Sequence, residues 1–235
     1  AQIVLDGTYT VTLDIDPTVA ALEIGAASGT QTLSGSSAAL TVNGTLAVNA
    51  NGVLDLSSST VHTGGDNDLS NAGHVECVNS DIELNVVNTG TMLIQRGCQL
   101  TRTFLNDATG TLTIEGTSSG NGDLTVDGTF TNRGAIDYLR VPNEPLVNEA
   151  TGTINGLLGV SFNSTSTRYV SAELHNSGTV TAVSTGLSVY SSGTTHVNDG
   201  TLYAQGGHLS MGSGSTFHNN ATITVDAGAS VGFGA

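Results

Sequence analysis

The 235-residue chain contains no lysine and no tryptophan, only 3 prolines and 2 cysteines, and just 11 % charged residues. Each scarcity excludes something. An average soluble protein carries roughly 25 % charged residues, and a chain this poor in them cannot furnish the solvent faces of many long helices. Positive charge is confined to Arg96, Arg102, Arg133, Arg140 and Arg168 against 20 acids, so the net charge is −15. Nucleic acid, anionic lipid surfaces and polyanionic polysaccharides are disfavoured as partners, because binding them needs clustered Lys or Arg to replace counterions. Proteins, neutral glycans and cations remain. No run approaches the ~18 apolar residues of a membrane-spanning helix, so membrane insertion is not expected. The first residues, Ala1-Gln2-Ile3-Val4-Leu5-Asp6, lack the basic and apolar regions of a signal peptide. Together with a last segment, Val231 to Ala235, that reads as a coil cut mid-repeat, this suggests a piece excised from a longer protein. Cys77 and Cys98 fit a single disulfide or two buried thiols equally well.

What the chain does have is a repeated pattern. Leu174-His175-Asn176-Ser177-Gly178-Thr179-Val180-Thr181-Ala182 shows it most plainly: an apolar residue two places before Asn, a Gly two places after it, then apolar residues two and four places after the Gly. That spacing has the period of two of a half-buried strand. The anchoring glycines with their inward pairs include Gly44 (Leu46, Val48), Gly52 (Leu54, Leu56), Gly73 (Val75, Cys77), Gly90 (Met92, Ile94), Gly110 (Leu112, Ile114) and Gly134 (Ile136, Tyr138). Gly152, Gly178, Gly200 and, in substituted form, Ala221 continue the series. From Gly73 the intervals are 17, 20, 24, 18, 26, 22 and 21 residues, a repeat period of solenoid size. The expected fold is all-β, a right-handed parallel β-helix of roughly eleven coils. Residues 1–40, with different punctuation, are expected to form an N-terminal cap or first atypical coils, and residues 41–235 the repeat body.

Asn71, Asn88, Asn132, Asn176, Asn198 and Asn219 stand two residues before their anchors, and Asn106 and Asn148 begin a version two residues longer. These eight are the expected structural turns, since Asn tolerates left-handed geometry and its amide can bond the same residue one coil away, while Gly accepts a positive φ where the chain corners. Leu69, Val86, Phe104, Phe130, Leu146, Leu174 and Phe217, two places before the asparagines, are expected to stack as an interior ladder.

With Phe130-Thr131-Asn132-Arg133-Gly134, Leu174 to Val180 and Val197-Asn198-Asp199-Gly200-Thr201-Leu202 in view, residues 41 to 225 resemble the passenger regions of bacterial autotransporter and filamentous-haemagglutinin-like adhesins. The resemblance implies a β-helix exported to the cell surface, and a structural and adhesive role as spacer and contact surface for a host, glycan or biofilm partner.

Glycan-active enzymes, both glycoside hydrolases and polysaccharide lyases, also use β-helices, and a hydrolase needs two carboxylates about 5 to 9.5 Å apart. The candidate pairs are Asp14 with Asp16, Asp66 with Asp68, and Asp137 with Glu115 or Asp127. With 20 acids in the chain, solvated surface carboxylates are the simpler reading, so no catalytic residue is assigned. Gly64-Gly65-Asp66-Asn67-Asp68 could gather oxygens around Ca²⁺ through Asp66 and Asp68, but a calcium roll repeats its Gly-Gly-x-Gly-x-Asp unit and this stretch occurs once. No other cofactor is expected. His175, His196 and His218 recur about one coil apart and could stack, in imperfect register, near the Asn turn. The outward pairs Thr111/Thr113, Thr179/Thr181 and Thr222/Thr224 resemble an ice-binding face, broken at His74/Glu76, Ala135/Asp137 and Thr201/Tyr203. A monomer is expected at low salt, with end-to-end contact through the C-terminal coil as salt rises.

Overall fold

The computed structural model describes residues 1–65, 67–115, 124–126, 130–132, 135–137, 146–148, 153–156, 168–170, 173–183, 186–189, 192–212 and 214–234. The described chain is a parallel β-solenoid without helix. Every strand pairing within it is parallel, and the strands stack into an 11-stranded sheet, a 15-stranded sheet and a 4-stranded sheet. The first sheet runs from Gln2–Ile3 to Thr216–Asn219, the second from Tyr9–Leu13 to Thr222–Val225, and the third joins Arg168–Val170, Leu187–Val189, His208–Met211 and Ser230–Phe233. Residues 1–40 enter the same ladders, Gln2 pairing with Glu23 and Tyr9 with Gln31.

Alternation turns sequence into burial. Gly52–Ser57 alternates buried and half-buried residues along its whole length, and Gln31–Ser36 does so up to its last residue. Parallel in-register pairing then carries each inward position into a column. One column of the first sheet reads Leu22, Leu46, Leu69, Val86, Phe104, Phe130, Leu146 and continues to Leu174. Leu46 and Leu69 are fully buried and Phe104 is 1 % exposed, and full burial of such a side chain stabilises the fold by roughly 1.5–3 kcal/mol. The interior ladder expected from the sequence is therefore present in the first sheet's register. His196 also belongs to it, one place before Val197, which pairs with His175.

The anchoring glycines are needed for a reason other than the one expected. Those described at Gly44, Gly52, Gly73, Gly90, Gly110 and Gly200 do not have positive φ. A Cβ on any of them would lie 2.2 to 2.5 Å from a carbonyl oxygen of the preceding coil. Stacked turns approach so closely that only hydrogen fits. Left-handed backbone occurs instead at another corner, where Ser37 (φ 55°), Ser58 (φ 49°), Asn79 (φ 49°) and Gly97 (φ 96°) follow one another in successive coils. The residues just after this corner form a small hydroxyl ladder: Ser59 Oγ accepts from Ala38 N–H at 3.2 Å and Ser80 Oγ from Ser59 N–H at 3.0 Å.

Cys98 takes the next place in that ladder, paired in register with Ser80. It forms a disulfide with Cys77 of the coil before, with Cα atoms 6.3 Å apart. Cys98 stands eight residues after its anchor Gly90, past the inward places two and four residues on. The strand Thr91–Leu100 instead continues through Gly97, and the register shift between Val78 and Ser80 brings both sulfurs inside.

Candidate functional site

The most specific constellation in the chain is a column of asparagines at the inner end of the first sheet's strands. Register aligns Asn71, Asn88, Asn106, Asn132, Asn148, Asn176, Asn198 and Asn219 one above another. Asn71, Asn88, Asn106 and Asn148 are fully buried, and Asn176 and Asn198 are 1 % exposed. Five of the Nδ2 groups donate to the asparagine of the next coil. Asn71 reaches Asn88 Oδ1 and Asn88 reaches Asn106 Oδ1, both at 2.7 Å. Asn148 to Asn176 and Asn176 to Asn198 repeat the 2.7 Å bond, and Asn198 to Asn219 closes at 2.6 Å. The second N–H of the donors Asn71, Asn88, Asn148, Asn176 and Asn198 reaches a backbone carbonyl three places after the acceptor asparagine, or five after Asn106, as from Asn71 to Thr91 O at 2.9 Å and from Asn176 to Thr201 O at 3.2 Å. None of the eight has positive φ, so the left-handed turn role expected of them is not what they perform; the other expected role, bonding the same residue one coil away, is the one found. Asn71, Asn88, Asn106, Asn148, Asn176 and Asn198 are buried amides satisfied by stacking, and chains of such bonds polarise one another. The column starts at Asn71; its predecessors in register are Val48 and Ile24.

The outer faces hold the remaining candidates. On the second sheet one register column reads Thr10, Thr32, Val53, His74, Thr91, Thr111, Ala135, Thr153, Thr179, Thr201, Thr222. Its neighbour carries Asp55, Glu76, Leu93, Tyr203 and other unlike groups among its threonines, and Thr181 is only 8 % exposed. The two-column threonine array that would order ice is thus absent from the described part of that face. Tyr203 donates to Asp226 Oδ2 at 2.8 Å; that bond foremost, then burial and the neighbouring charge, raise the phenol above its ordinary value.

Of the carboxylates singled out from the sequence, Asp16 Oδ1 accepts from Ala39 N–H at 2.8 Å and so belongs to a turn. Asp14 is exposed. Asp68 accepts from Asn85 Nδ2 of the next coil at 3.1 Å. Asp66 and Asp127 and the side chains of Glu115 and Asp137 lie outside the described residues. No group of three or more His, Cys, Asp or Glu side chains able to hold a metal occurs among the described residues. A pair that sequence spacing did not single out is Asp55 with Glu76, in register on adjacent strands of the second sheet's outer face, with Ser34 Oγ donating to Asp55 Oδ2 at 3.1 Å. Both stand three places after an anchoring glycine, Gly52 and Gly73, and that shared spacing is the signal that could have found them.

The three histidines do not stack. His175 pairs with Val197 and Val197 with His218, so these two share an outward column with a valine between them. His196, one residue earlier than Val197, points the opposite way, because a shift of one residue changes the face of a strand. It is fully buried. Its Nδ1 accepts from Leu174 N–H at 3.1 Å and its Nε2, buried, has no partner. Burial foremost lowers its pKa below the ordinary 6.5, the neighbouring Glu173 carboxylate opposes that shift and the His175 charge adds to it. Among the described residues no helix is long and apolar enough to cross a membrane.

Comparison of the chain with protein-family models, with curated proteins and with solved structures finds no match.

Proposed function

We propose that the chain is a structural and adhesive segment of a secreted or cell-surface bacterial protein. The solenoid acts as a spacer, and its outer faces act as a weak, repeated contact surface for a protein or a neutral glycan. The observation that carries this reading is the unbroken column register, in which the buried amide ladder and the apolar columns commit the repeat to stacking. What faces outward is mostly Thr, Ser, Asn and acid, in a chain of net charge −15. Such a surface suits neutral partners and repels polyanions. The Cys77–Cys98 disulfide supports passage through an oxidising compartment. Weak sites repeated along a rod act through avidity, which multiplies affinity by roughly 10²–10⁴.

The test is a glycan and host-protein array probed with the chain as a monomer and as a bead-bound multimer. The reading expects binding to neutral ligands that is detectable mainly in multimeric form and is not accompanied by release of reducing sugar. Binding confined to sulfated or sialylated glycans would refute it. One observation favours a second reading, a glycan-active enzyme: Asp55 and Glu76 are paired in register across adjacent strands, which stand about 4.8 Å apart. Release of reducing sugar that disappears in both Asp55→Asn and Glu76→Gln would establish that alternative.

A further inference from the structure

We propose that His196 makes the C-terminal coils acid-labile, its protonation releasing the strands Thr195–Asn198 and Thr216–Asn219 from Leu174–Asn176 while the coils before them stay folded. The ring occupies a place that other coils fill with Leu, Val or Phe, with Leu174 on one side and Phe217 in register on the other. Its neutral form is held by one bond, the Leu174 N–H donating to Nδ1 at 3.1 Å. Adding a proton at Nδ1 replaces that acceptor by a donor facing a donor. The cation would also carry its other N–H at Nε2, which already lacks a partner. A buried charge without a hydrogen-bond partner is strongly disfavoured, and the one carboxylate that favours it, Glu173, offsets burial only in part.

The groups around it do not rescue the charge. From the preceding strand, Glu173 is engaged by His175 at 2.5 Å and both are partly exposed; from the following strand the titratable neighbour is His218, in the outward column. The interior of its own coil is supplied by Leu202, Ala204, Leu209 and Met211, all buried and none titratable. The sign of the linkage follows. A folded-state pKa below the unfolded 6.5 means that the open form binds more protons in the window beneath that value. Stability of these coils is complete above it and is lost as pH falls towards the folded pKa. Because each repeat contacts only its neighbours, the loss stays local, and the coils it reaches are already partly uncovered, with Phe233 54 % and Val225 47 % exposed.

The decisive experiment is amide hydrogen exchange, corrected for intrinsic rates, on the whole chain. Between about pH 7.5 and about pH 5.5, protection of residues 195–225 is expected to fall about tenfold, the change in proton occupancy of a histidine of ordinary pKa in the open state. Protection of residues 31–100 should stay unchanged. His196→Phe, which repeats the Phe of the column, should abolish the pH dependence, and His196→Leu provides a second variant if the first does not fold. Nuclear magnetic resonance of the wild-type histidines in the same pH series needs no variant: the His196 ring should remain neutral until the C-terminal amides open. A loss of protection equal in wild type and variants, a loss spread evenly along the solenoid, or a His196 ring that titrates at its ordinary value with the coils closed would overturn the proposal.

Discussion

A buried asparagine needs partners for two N–H groups and a carbonyl oxygen, and Asn88 shows how stacking supplies all three. Its Nδ2 gives one hydrogen to Asn106 Oδ1 and the other to Thr111 O, and its Oδ1 accepts from Asn71. Asn88→Ala removes these and leaves one Asn71 N–H without its acceptor in the interior. A buried unsatisfied group costs about 1–3 kcal/mol, so the urea midpoint should fall accordingly, whereas Asn219→Ala at the exposed end of the column should change it little. Gly90→Ala tests the stacking distance itself. The new Cβ would meet Gly73 O at 2.3 Å and the Ala72 carbonyl carbon at 2.6 Å, both backbone, and overpacking of this kind destabilises by about 1–3 kcal/mol. Gly65→Ala, with nothing within 4 Å, is the control and should leave the melting temperature in place. At this scale the positions of the special residues were legible in the sequence, and so was the bonding of each Asn amide to the same residue one coil away. The reason for the glycines was not, because nothing in a one-dimensional pattern distinguishes a Gly that corners the chain from one that lets stacked turns touch. His196 was grouped with His175 and His218 because spacing of about one coil reads as a shared column until register assigns its face.

The strand is the scale at which the sequence spoke most clearly. Alternation within Gly52–Ser57 and in the first residues of His74–Ile82 is read directly as inward and outward residues, and equal spacing from the anchors aligns the columns. Corners were the illegible part. Ser58-Ser59 and Asn79-Ser80 look like polar loop, yet each pair is a left-handed residue followed by a buried hydroxyl that continues the ladder. The Cys77–Cys98 bond was not deducible for the same reason: it crosses a corner through a register shift. The bond closes a loop of sequence separation 21, and a crosslink of that size stabilises by about 2–4 kcal/mol. The double variant Cys77→Ala with Cys98→Ala should therefore lower the midpoint of urea unfolding, and a reductant should lower that of the wild type but not of the variant. A thiol count on the denatured, unreduced chain should read zero; two thiols would contradict the structure.

On the scale of the whole molecule, a solenoid has ends as well as faces. The last strands of the sheets, Thr216–Asn219, Thr222–Val225 and Ser230–Phe233, each pair on one side only, and Leu5, Ile15 and Phe233 are more than half exposed. Charge of −15 keeps copies apart at low ionic strength, and at physiological salt its reach shrinks to ~8 Å. Light scattering across a salt series should show association that grows as salt rises. Association that weakens with salt would mean that paired charges, rather than sheet edges and apolar ends, hold the copies together.

Successive asparagines in the column are separated by 17, 18, 28, 22 and 21 residues where their bonds are described, yet the amides meet at nearly the same distance each time. The column thus works as an index mark. From Asn71 onward it resets the phase of the coils it joins, independently of how much chain was spent since the last one. Length added between marks is free to bulge outward, at a closure entropy that grows only as about 0.6 kcal/mol per doubling, while the strands that follow it resume their places. A repeat indexed in this way can gain or lose outer loops one coil at a time, and with them contact surface, without renumbering the interior.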